Sequence, residues 1–143
     1  MKKLISVLFL ILILCLSPAF AFKKKKARTS LILSKVNPLF YDSYDTKIQE
    51  DRYFQKGKPV YFLIQNPSGF KSDYLKFQII KHDDNAHIGG YSRIKNQTVR
   101  IKNKGYYCDY FVLHEKGKYY LQIFDITDTN HWLNMEGFMI IDE

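Results

Sequence analysis

From residue 30 onward, apolar side chains recur at every second position in short runs. In "YLKFQIIK" (74–81), Leu75, Phe77 and Ile79 fall on one face, and Tyr74, Lys76 and Gln78 on the other. In "GKYYLQIFD" (117–125), Tyr119, Leu121 and Ile123 share the inward face, while Tyr120, Gln122 and Phe124 point outward. A period of two marks a strand with one face in a core. A slip of one residue would exchange the two faces. Runs of this kind predict strands at 31–36, 60–65, 74–81, 91–95, 98–102, 107–114, 119–126 and 137–141. Turn-forming clusters separate them: Asn66-Pro67-Ser68-Gly69, Asp83-Asp84-Asn85, Asn96-Gln97, Asn103-Lys104-Gly105, Lys116-Gly117 and residues 127–130. Residues 41–57 are polar and aromatic without a clear period, and are read as a helical turn or an irregular crossover. Short strands without a long amphipathic helix define an all-β chain, a single antiparallel β-sandwich over 29–143.

The first residues follow a different pattern. Lys2-Lys3 precede a nearly unbroken apolar run from Leu4 to Leu16, and Pro18 ends it before Ala19-Phe20-Ala21. A positive start, an apolar centre and a small-x-small end make a secretory signal peptide. Pro18 stops the apolar helix and leaves the alanines extended for a peptidase. The expectation is a signal peptide over 1–21, cleavage after Ala21 and a periplasmic or extracellular protein beginning at Phe22. Two alternatives stay open. The stretch from Leu4 to Phe22 approaches the roughly 20 residues of a membrane-spanning helix, which would anchor the chain. Lipid attachment at Cys15 is the other, against which stands the bulky Leu14 before it.

Charge sharpens this picture. The chain holds 22 Lys+Arg and 14 Asp+Glu; seven of the basic residues precede Thr29, leaving 15 against 14 from there on. The excess therefore belongs to Lys23, Lys24, Lys25, Lys26 and Arg28, read as a basic disordered tail over 22–28. Such a tail can touch an anionic surface by charge alone. A nucleic-acid binder would instead carry its basic stripe on the folded surface. The run "RIKNQTVRIKNK" (93–104) reads as a hairpin with Arg93, Lys95, Arg100, Lys102 and Lys104 on one face, a solvated or edge-protecting surface. After cleavage Cys108 is the remaining cysteine, so no disulfide can form within the chain. Its apolar setting, "GYYCDYFVL", predicts a buried thiol, with pairing to another chain as the alternative. His114 lies six residues further along a strand, about 20 Å away, too far to activate it.

The stretch "HEKGKYYLQIFD" (114–125) resembles the penultimate strand of bacterial exported immunoglobulin-like domains. There a Gly-x-Tyr turn enters an alternating strand, and the tyrosine caps the preceding loop. The strand before it and "GFMII" after it fit the same order. The resemblance covers the last third of the chain. It implies an immunoglobulin-like β-sandwich and no particular activity. The disulfide and core tryptophan of true immunoglobulin domains are missing: Cys108 stands alone and Trp132 falls in a loop.

Three constellations bear on chemistry. In "KHDDNAHIGG" (81–90), His82, Asp83, Asp84 and His87 crowd one loop. The resemblance implies that the loop after Leu113 lies at the same end of the sandwich, near them. His82, His87 and His114 then become candidate ligands for Zn or Cu, since neutral imidazole suits both; a polar turn with incidental histidines is the plain alternative. In "DITDTNHWLN" (125–134), Asp125, Asp128 and Asn130 lack the glycine and glutamate of a calcium loop and read as an ordinary turn. Trp132, the sole tryptophan, either folds back onto the core or stacks on a sugar or partner beside His131 and Asn134. The third is the outward strip Tyr74, Gln78, Tyr120, Gln122 and Phe124, an aromatic and amide face of the kind that marks contact sites.

No phosphate loop, nucleophile elbow or paired helical histidine occurs, so neither an enzyme nor a cofactor is expected. The reading is an exported, non-catalytic binding protein of the bacterial envelope that contacts a protein or envelope component through the outward strip. Metal binding by His82, His87 and His114, and carbohydrate binding by Trp132, are the alternatives.

Overall fold

The computed structural model describes residues 28–40, 50–83 and 90–142. The expected signal peptide, the tail before Arg28, and His87 with its neighbours at 84–89 lie outside the described residues, as does 41–49. Strands β1 (Ser30–Ser34), β3 (Pro59–Gln65) and β6 (Tyr106–Val112) form one sheet in the order β1-β3-β6. Strands β2 (Tyr53–Gln55), β8 (Asn134–Ile141), β7 (Gly117–Asp125), β4 (Tyr74–His82) and β5 (Tyr91–Arg100) form a second, in that order. All pairings are antiparallel except β2 with β8, which is parallel. In immunoglobulin terms the sheets are A-B-E and A′-G-F-C-C′, so the sandwich is immunoglobulin-like.

Alternation explains the core. On β4, Leu75, Phe77 and Ile79 are buried between half-buried or exposed neighbours; on β7 Tyr119 and Leu121 are buried likewise, and Ile123 is buried beside a buried Phe124. They meet Leu31, Leu33, Val60, Phe62, Ile64 and Phe111 from the smaller sheet. Phe62 stands at the middle, with Phe77 at 5.5 Å, Tyr107 at 6.0 Å and Phe111 at 6.2 Å between ring centroids. Leu121, fully buried, occupies the place two residues after the corner tyrosine where an immunoglobulin domain carries its second cysteine. Here the sandwich is held by packing.

The expected Gly-x-Tyr turn is present. Gly117 has φ +144°, a conformation that other residues adopt only with strain. The Tyr119 hydroxyl donates to the Glu115 carbonyl at 2.8 Å, closing the loop before β7. Tyr119→Phe leaves that carbonyl without its partner in a ring that is 1% exposed, at a cost of about 1–2 kcal/mol. Urea unfolding should show a lower midpoint at unchanged slope; an unchanged midpoint would mean that water replaces the hydroxyl at no cost.

Two expectations need correction. Asn96-Gln97 is no turn: β5 runs unbroken from Tyr91 to Arg100. A two-residue hairpin turn needs positive φ, which Gln rarely supplies, and among the described residues no non-glycine has it. The basic residues of 93–104 therefore do not share one face. A bulge at Ile94 shifts the register, so Arg93 and Arg100 point outward while Lys95 faces inward, its ammonium 5.6 Å from the Phe77 ring. In the segment read as a crossover (41–57), β2 supplies a short edge strand; before that segment, Pro38–Phe40 forms one 3₁₀ turn.

Candidate functional site

The larger sheet turns its outward side to solvent. Register places Tyr74, Lys76, Gln78, Ile80 and His82 of β4 on that side, beside Lys118, Tyr120, Gln122 and Phe124 of β7. Tyr91, Arg93, Asn96, Thr98 and Arg100 of β5 join them, as do Met135, Gly137 and Met139 of β8 and Tyr53 of β2. Four of the five strip residues are available there: Tyr74 is exposed, and Gln78, Tyr120 and Gln122 are half-buried. Phe124 is not. It points outward as expected but is 8% exposed, with the Lys76 side chain laid across its ring at 5.8 Å; lysine stems commonly cover apolar surface this way.

Tyr120 organises the middle of the face. Opposite it stands Gly137, where a Cβ would come within 3.1 Å of the Tyr120 ring. The tyrosine thus lies over the glycine backbone, an arrangement that fills the space a side chain would take. Tyr91 meets its edge at 5.8 Å and the Lys118 ammonium sits 5.4 Å from its centre. Beside it runs a row of amides, Gln78 to Gln122 at 3.5 Å and Gln122 to the Met135 sulfur at 3.5 Å. The outward positions of the five strands include Lys76, Lys118, Arg93 and Arg100 and not one carboxylate. Alternation set Arg93 and Arg100 on an outward face but did not join that face to the strip, and it missed Tyr91 and Tyr53.

A second feature lies at one end of the sandwich, where the β3–β4 and β7–β8 loops converge. They enclose a cleft of about 810 Å³ with Arg28 and Thr29 at its rim. Asn66-Pro67-Ser68-Gly69 forms the expected turn, closed by the Gly69 amide on the Asn66 carbonyl at 2.8 Å. Asp125, 4% exposed, ties the two loops together. Its carboxylate accepts the Lys71 and Ser72 amides at 3.1 and 3.2 Å, and the Thr127 amide and hydroxyl at 3.0 and 2.6 Å. Burial pushes its pKa up, but the Thr127, Ser72 and Lys71 donors outweigh it and hold the carboxyl below its ordinary value. Read from sequence as an ordinary turn residue, Asp125 is the clasp of this end. Asn134 pins the chain before β1 through the Thr29 carbonyl at 2.9 Å. Trp132, on the cleft wall, is 53% exposed rather than folded onto the core. His131 meets Asp128 at 3.1 Å, and this contact holds the Asp128 carboxyl below its usual range.

The histidines considered for metal sit at the opposite end. His82 closes β4 with its ring 5.3 Å from Tyr91, and His114 follows β6. The Lys81–Glu115 ion pair at 2.7 Å joins these two ends of chain, as the immunoglobulin-like order implied. His87, the third of the set, lies outside the described residues. Among the described residues no group of three His, Cys, Asp or Glu is placed to hold a metal ion. Cys108 is half-buried on the outward side of the smaller sheet, its sulfur 3.7 Å from Asn37 Oδ1. Burial, and then the neighbouring Asp109, push its thiol up to about 11, which leaves little thiolate at neutral pH.

No family profile matches the chain, and no curated protein matches it in sequence. Solved structures similar to it include an immunoglobulin-like protein from Pseudomonas aeruginosa, 15% identical, with 82% of this chain and 99% of that one covered and a TM-score of 0.47. A CARDB domain from Pyrococcus furiosus, solved with di-metal ions, is 15% identical over 81% and 96% of the two chains, with a TM-score of 0.37. A superoxide reductase from Ignicoccus hospitalis is 10% identical over 68% and 78%, with a TM-score of 0.40.

Proposed function

We propose that this chain is an exported, non-catalytic binding domain that docks an acidic partner protein on the outward face of its five-stranded sheet. Export rests on the N-terminal pattern of charge, apolar run and small residues. The binding reading rests on one observation above all: a five-strand surface of tyrosines, amides and methionines that carries four cations and no carboxylate. Aromatic residues, methionine and arginine are the side chains that interfaces favour. Two copies of this face would repel one another, whereas an acidic surface would meet it with complementary charge.

A photo-crosslinking residue tests this. Placed at Gln78 in the native host, it should trap one partner through a segment rich in Asp and Glu; placed at Tyr110, on the other sheet, it should not. Lys76→Glu with Arg93→Glu should abolish the adduct. Self-adducts, or equal trapping from Tyr110, would overturn the reading. The intact mass of the same material should correspond to a chain starting at Phe22.

A further inference from the structure

The cleft at the loop end suits a different ligand from the sheet face. We infer that it is a saccharide site selective for sugars bearing carboxylates, such as uronic acids. The cleft measures about 810 Å³, within the roughly 300–1,000 Å³ of small-ligand sites. Its walls are fixed in advance, since the buried Asp125 carboxylate bonds to both loops. Fixed walls lower the ordering cost of binding.

The cleft exposes a tryptophan, a residue that proteins usually bury for the most part. At 53% exposure, Trp132 offers a flat apolar ring on the wall. The C–H face of a pyranose is a good match for such a ring, which keeps a polar N–H for the rim. The polar lining sets the charge. Both acids are already engaged, Asp125 by amides and a hydroxyl and Asp128 by His131. The two lining cations, Arg28 and Lys71, have no carboxylate partner among the described residues. A ligand that stacks on Trp132 while presenting carboxylates to Arg28 and Lys71 satisfies both features; a neutral sugar leaves the cations unanswered, and a plain polyanion leaves the ring unused.

Because the chain has a single tryptophan, its emission reports on this cleft alone. The purified protein is titrated with oligogalacturonate, with neutral maltohexaose and with polyacrylate. A saturable change is expected with oligogalacturonate and not with the other two. Lys71→Ala should weaken binding by about tenfold or more, the usual weight of one charge-assisted hydrogen bond. Lys118→Ala, on the sheet face, should leave it unchanged. Calorimetry on Trp132→Ala, an exposed position, should show the heat of binding lost. No response to oligogalacturonate, an equal response to polyacrylate or maltohexaose, or unchanged affinity in Lys71→Ala would each overturn the assignment. Lys76→Glu with Arg93→Glu should leave the titration intact, so the two sites fail or stand separately.

Discussion

Asp125→Ala is expected to cost about 3 kcal/mol of stability, because it strips a buried carboxylate from four donors at once. The Lys71 and Ser72 amides lose their partner, and the two loops lose their link. For a domain of this size the thermal midpoint should fall by roughly 10 °C. Asp125→Asn preserves shape but offers a donor where acceptors are needed, and should be nearly as damaging at neutral pH. The pH dependence separates charge from shape. The folded pKa is held below the ordinary value, so the stabilisation is complete above the unfolded carboxylate value near 3.9. It is lost as pH falls through the folded value. The gap between wild type and Asp125→Asn should therefore narrow below about pH 4. A constant gap from pH 7 to pH 3 would show that the carboxylate's charge contributes nothing.

Phe62→Ala is the other large change. Phe62 is fully buried and touches rings from both sheets. Its removal opens a cavity between the sheets that β3 and β4 could close only by shifting toward one another, at a cost of about 3–5 kcal/mol. Against a total of about 5–15 kcal/mol, that leaves the domain near its limit. Urea unfolding should show the midpoint falling by a third or more, while Phe62→Leu should recover over half of the loss. Equal destabilisation by both would mean that ring contacts, and not filled volume, hold the centre.

These two residues differ in how far the sequence reveals them. Phe62 lies in an apolar run bounded by turn residues, and such runs read directly as strands. The alternation of β4 and β7 also placed Leu75, Phe77, Ile79, Tyr119, Leu121 and Ile123 inside correctly. Asp125 looked like any turn aspartate, because only its local bonds to Thr127 are legible in sequence, while the Lys71 and Ser72 amides that make it a clasp come from 54 and 53 positions away. Alternation also cannot tell a bare outward position from a covered one: Tyr74 and Phe124 share a face, and Lys76 covers only the second. The bulge at Ile94 made Arg93 and Tyr91 part of the face while leaving no local signature beyond a polar strand. Trp132 went against the usual behaviour of its residue type, which only the positions of the surrounding loops disclose.

The parallel pairing of β2 with β8 sets an order of events in time. Tyr53 pairs with Met139 and Gln55 with Ile141, so β2 waits for a strand made much later than itself. On the proposed export route the chain emerges with its N-terminus first, so β3 and β4 can collapse before the strand that β2 needs is present. The larger sheet therefore stays unfinished, with the inner side of β7 uncovered on one flank, until residues 134–141 arrive. Contacts this far apart in sequence slow the search for the native arrangement, placing such sandwiches in the millisecond-to-second range. In that interval the unpaired edge of β7 is open to a wrong partner.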